Sequence, residues 1–134
     1  MNIAQCAREI GLDESDYREL LALFVQTTRT DLMTLAAAVA SGDAERAFFA
    51  SHSIKGAAAN LGLTEISAAA LEIERKSRDG RPSDAREFAA AIAKRLGEIA
   101  DVLAGGETPG SRSRTGDTRQ PAPSGRSIGR RTKE

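Results

Sequence analysis

Over the first hundred positions apolar residues recur at steps of three and four, and nowhere do β-branched residues alternate in twos. That period belongs to helices. Ile3, Cys6, Ala7 and Ile10 mark a short amphipathic helix that Gly11 can end. A second helix is expected from Asp13, an N-cap residue type with Asp16 three positions on, to Ser41-Gly42. Its stripe runs Tyr17, Leu21, Phe24, Thr28, Leu32, Leu35, Val39, and at its rise per residue it spans about 40 Å. Thr27, Thr28 and Thr30 are its weakest stretch, because Thr is a below-average helix former, and a bend is conceivable there. A third helix is expected from Asp43 or Ala44 to Leu61, closed by Gly62. A fourth starts at Thr64 as N-cap, turns Ile66, Ala70 and Ile73 inward, and stops before Gly80-Arg81-Pro82. A fifth starts at Ser83 or Asp84, with Asp84 and Glu87 at capping-box spacing. It carries Phe88, Ile92, Leu96, Ile99 and Leu103 to Gly105-Gly106.

Connections of about two to four residues between long helices make neighbours antiparallel. The expected fold is therefore all-α: an antiparallel up-down four-helix bundle with the short first helix packed across it, over residues 1–104. Residues 105–134 differ in kind. Ala122 and Ile128 are their only apolar side chains, among Gly, Pro, Ser, Thr and Arg. Such a segment buries too little to offset its ordering entropy, so it is expected to be a disordered tail.

Charge changes the picture little. The formal net charge of +0 conceals seven bases against three acids after position 104, which leaves −4 on residues 1–104. The basic tail can attract polyanions without specificity, but the helical part has no basic stripe, and specific nucleic-acid recognition is not expected. With one cysteine, Cys6, no internal disulfide can form, which fits a reducing compartment. The N-terminus lacks the layout of a signal peptide, and no apolar run approaches the roughly 20 residues of a membrane span. A soluble cytoplasmic protein is expected. A monomer is the expected state, since a bundle with one polar face per helix leaves nothing to bury.

Chemistry concentrates on the third helix. At 100° per residue, Ala44, Ala47, Ser51, Ile54, Ala58 and Leu61 form its core face. His52, the single histidine, lies well off that face. It shares its own with Glu45, Phe48, Gly56 and Ala59, flanked by Phe49 and Lys55. A core histidine is thereby excluded. An inert surface histidine fits poorly with Gly56 one turn away, because a mid-helix Gly costs about 1 kcal/mol relative to Ala. Close approach of a partner to the imidazole accounts for the missing side chain. Lys55, at the +3 neighbour position, can neutralise a phosphoryl group carried on that ring. One His and one distant Cys do not make a metal site.

The run His52-Ser53-Ile54-Lys55-Gly56, with Ala58, Leu61 and Gly62, resembles the His-x-Leu-Lys-Gly-x-Ala-x-x-Leu-Gly signature of histidine-containing phosphotransfer (HPt) domains. The resemblance extends over roughly Asp13 to Leu103. Ser51, where Ala is usual, and Ile54, in place of Leu, are mild departures. The resemblance implies a phosphorelay intermediate of a two-component system. His52 would take a phosphoryl group from a receiver-domain aspartyl phosphate and pass it to another receiver. Lys55 and Gly56 match the charge-balancing and access positions. Phe48, Phe49, Gly56 and Ala59 would form the docking surface around His52. No cofactor of its own is implied, and Mg²⁺ is expected on the partner receiver, which could belong to a hybrid histidine kinase. A kinase dimerisation hairpin is disfavoured, since Ser53 rather than an acid follows the histidine, no proline precedes Pro82, and no Gly-rich nucleotide loop is present. The alternatives are a helical adaptor without phosphoryl chemistry and a detached phosphotransfer domain of a chemotaxis-type kinase.

Overall fold

The computed structural model describes residues 1–106. Among them lie five α-helices and no strand: α1 (Ile3–Glu9), α2 (Glu14–Ser41), α3 (Ala44–Asn60), α4 (Thr64–Arg78) and α5 (Arg86–Asp101). Helices α2 to α5 form the up-down bundle. α3 packs between α2 and α4, and α1 lies against α2. Three helices begin where a short polar side chain takes a free amide. The Asn2 side chain accepts from the Gln5 N–H at 2.9 Å, Asp13 from Asp16 at 2.9 Å and Asp43 from Arg46 at 3.1 Å. α2 ends at Gly42, whose φ of 78° lets its N–H turn back onto the Ala38 carbonyl.

α2 runs without a break through its threonines. Thr28 is buried, and the Thr27 hydroxyl donates to the Phe24 carbonyl at 3.3 Å, so neither competes with the helix. Tertiary packing outweighs the weak propensity here. Two expected caps do not form. Thr64 is already inside α4, the N-cap is Leu63, and no side chain caps that end. The reason is the tight α3–α4 turn: Gly62 takes φ of 73°, the Thr64 N–H donates to its carbonyl at 3.0 Å, and Leu63 is drawn into the core. The chain before α5 likewise winds as a 3₁₀ turn over Pro82–Ala85. Ser83 there donates to the Val39 carbonyl at 3.3 Å, and Asp84 pairs with Arg81 at 3.5 Å in place of capping α5.

The core is filled by Tyr17, Leu21 and Leu35 from α2, Ile54 from α3, Ile66 and Ile73 from α4, and Ile92 and Ile99 from α5, all fully buried. The Tyr17 hydroxyl donates to the Leu61 carbonyl at 2.8 Å and ties the start of α2 to the end of α3. Leu32, expected on the α2 core stripe, is only half-buried. Among the described residues no helix is long and apolar enough to cross a membrane.

Met1–Ala100 form one compact unit. Beyond it the described chain makes a widened helical turn, Val102–Gly106, in which Gly105 takes φ of 101°. The tail expected over 105–134 lies, from residue 107 on, outside the described residues.

Candidate functional site

The α3 sequence places its small residues inward. Ala47, Ala50, Ser51, Ile54 and Ala58 are buried, and the Ser51 hydroxyl is absorbed by the Ala47 carbonyl at 2.8 Å. This phase carries the His52 side chain outward, 61% exposed. The ring is nevertheless held. Its Nδ1 lies 2.7 Å from Oε2 of Glu74, a carboxylate on α4 that is only 4% exposed. The other Glu74 oxygen accepts from Lys55 Nζ at 3.0 Å, and the Arg78 guanidinium stands 3.7 Å from it. Glu74 is thus a buried anion bridging an imidazole and an ammonium, with a second cation beyond.

Burial pushes the Glu74 carboxyl up, but the hydrogen bonds from His52 and Lys55, with the Lys55 charge, outweigh it and hold the group below its ordinary value. An ionised carboxylate can only accept. Nδ1 is therefore the donor in this bond, which leaves Nε2 as the ring nitrogen not engaged by Glu74. Phe48 stacks nearly parallel to the imidazole, with centroids 5.8 Å apart and 12° between planes. The Arg78 guanidinium covers the Phe48 ring at 5.3 Å. Ring rotation of His52 is limited by a carboxylate on one atom and an aromatic face alongside.

The residues expected from sequence divide into two groups. His52, Lys55 and Phe48 meet, whereas Phe49, Gly56 and Ala59 surround them on the open surface. Phe48 is half-buried under Arg78, and Phe49, 61% exposed, is the open aromatic. A Cβ at Gly56 would meet no atom of another element within 4 Å, so nothing packed against it among the described residues requires a glycine there. Two residues of the cluster were not foreseen, Glu74 and Arg78. From the sequence only Glu45 stood near His52. The signal for Glu74 was a carboxylate next to Ile73 on the inward stripe, one turn from Ala70; Arg78 follows at the next turn. Among the described residues no three His, Cys, Asp or Glu side chains come together to hold a metal ion.

The site is an outward imidazole whose inner nitrogen is pinned by a buried carboxylate that two cations also face. Residues 19–102 match the family model of the Hpt domain, and the chain belongs to that family. It is accordingly a histidine phosphotransfer protein of two-component signalling. Among solved structures it is similar to histidine-containing phosphotransfer protein B (HptB) from Pseudomonas aeruginosa PAO1, at 25% identity and a TM-score of 0.65, over 75% of this chain and 87% of that one. No curated protein matches.

Proposed function

We propose that His52 is the residue that carries the phosphoryl group, received from the aspartyl phosphate of one receiver domain and given to the aspartate of another. The observation that carries this reading is the Nδ1–Glu74 hydrogen bond of 2.7 Å beneath an exposed ring. With Nδ1 protonated, Nε2 is the nucleophile. Its lone pair forms the N–P bond as the P–O bond to the receiver aspartate breaks, and the carboxylate leaves without needing a proton. The ring becomes cationic, and the buried Glu74 anion faces that charge. Lys55 and Arg78 stand where they can meet the phosphoryl oxygens, as phosphoryl transfer depends chiefly on positioning and charge neutralisation. The reverse step delivers the group to the second receiver.

Mg²⁺ and the remaining catalytic groups belong to the receiver in this reading. The protein acts as a cytoplasmic, monomeric carrier with no ATP-dependent kinase activity of its own. Phe49, Gly56 and Ala59 offer the receiver its landing surface. The test is incubation of the chain, and of His52→Gln, with a phosphorylated receiver and Mg²⁺. Acid-labile, base-stable phosphate on the wild type and none on the variant is the expected result. No label with receivers that phosphorylate a known carrier would leave an adaptor without phosphoryl chemistry.

A further inference from the structure

On the side of the bundle away from the α3–α4 histidine cluster, α2 and α5 do not close against each other. Between them runs a groove of about 730 Å³. Its cause is side-chain size. Ala36 from α2 and Ala90 and Ala93 from α5 line it where larger residues would fill the space, together with the half-buried Leu32. Met33 stands on the rim, 75% exposed. The expectation that the bundle leaves no apolar surface to bury does not hold for this face.

The two ends of the groove are marked by charge. Arg86 opens α5 next to the 3₁₀ turn that is bonded to Val39, and Arg29, ten residues earlier on α2, lines the far end. Among the described residues neither guanidinium has a hydrogen-bond or ion-pair partner, whereas Arg75, Arg81 and Arg95 each lie against a carboxylate. Charge decides between occupants. The chain's own segment after position 104, with seven bases against three acids, would be repelled at both ends. A second copy presenting this same face would oppose arginine to arginine. The occupant that satisfies lining and ends together is an apolar helix face bounded by carboxylates. The α2 wall from Arg29 to Ala40 is roughly 16 Å long, which matches about three helical turns. Alanine walls also let another backbone come close.

We propose that the α2–α5 groove is a docking site for an acidic amphipathic helix of another protein, engaged while His52 remains open to a receiver. The mode is a helix laid in a groove and anchored at i, i+3, i+4 and i+7.

The test uses the full chain and two synthetic peptides of about 14 residues, long enough for three to four turns. Both carry a leucine stripe at that spacing; one is flanked by Glu, its twin by Lys at the same positions. Binding is read by fluorescence anisotropy, and its place by the shift of the Met33 methyl resonance. The acidic peptide should bind and move Met33, with the Lys twin weaker by roughly tenfold or more. The double variant Arg29→Glu/Arg86→Glu should reverse that order while leaving phosphoryl transfer to His52 unchanged. Equal binding of the twins, or shifts confined to other surfaces, overturns the proposal. So does a Met33 methyl already shielded by self-association in sedimentation, or displacement of neither peptide's charge preference in the double variant. Binding of oleate vesicles in place of either peptide would overturn it in favour of a lipid.

Discussion

Glu74 is the residue on which the site turns. It fixes the tautomer of His52, anchors Lys55 at 3.0 Å and faces Arg78, all from a buried position. Replacing it by Ala frees the ring to rotate and leaves no anion opposite the imidazolium that the proposed transfer forms. Glu74→Ala should slow labelling of His52 on the order of 10- to 100-fold, by analogy with the loss of the carboxylate that orients a metal-bound histidine. Glu74→Gln keeps an acceptor without the charge and should fall between. Rates of both variants equal to wild type, in single-turnover labelling, would remove Glu74 from the mechanism. Gly56 is the converse case. With no atom of another element near a Cβ there, Gly56→Ala should stabilise the isolated chain by about 0.5–1 kcal/mol. The same methyl should slow transfer if a receiver comes close at that point. Paired urea melts and transfer rates check both signs, and faster or unchanged transfer would assign Gly56 no part in access.

At the scale of elements, the site depends on α3 and α4 holding their register, and the α2–α3 tie supports α3 from the other side. Tyr17 is fully buried, and its hydroxyl is bonded to the Leu61 carbonyl at 2.8 Å, at the C-terminal end of α3. Tyr17→Phe keeps the ring and strands a buried carbonyl, so a loss of about 1–2 kcal/mol is expected in urea unfolding. A variant as stable as wild type would show that another donor takes over the carbonyl. Elements also differ in how far local sequence sets them. Asp13, Asp43 and Gly42 work as their residue types imply, because a cap needs only its own turn. Thr64 and Asp84 do not, because the tight turns around Gly62 and Pro82 answer to the packing of Leu63 and Ala85.

At the scale of the whole molecule, two groups bound the pH range of the fold. The Glu74 carboxyl is held below its ordinary value, so its stabilising effect is complete above the ordinary carboxylate range and is lost as pH falls through the depressed folded value. Burial pushes the Tyr17 phenol up from 10.0 to about 12, with Cys6 adding to the rise. Below pH 10 the phenol is neutral in both states and does not alter stability with pH; as pH climbs from 10 towards 12 the unfolded chain ionises first and stability falls. Urea midpoints against pH should give a plateau between these limits. Glu74→Gln should flatten the acid limb and Tyr17→Phe the alkaline one. Tyr17 is the only tyrosine, so phenolate absorbance reads it directly, and ionisation near pH 10 in the folded protein would contradict its burial.

The helices, their order and the outward aspect of His52 follow from residue spacing alone. Helical phase is a local property, and three or four turns of Ala47, Ser51, Ile54 and Ala58 suffice to say which way residue 52 points. Lys55 and Gly56 follow from the same helix. What local phase cannot say is which side chain of a neighbouring helix comes opposite. Glu74 reaches His52, and Arg78 covers Phe48, only because α4 packs on α3 at one particular register. The α2–α5 groove is likewise a property of two surfaces together: each alanine stripe reads as an ordinary helix face until the fold sets one against the other and leaves the space between them unfilled.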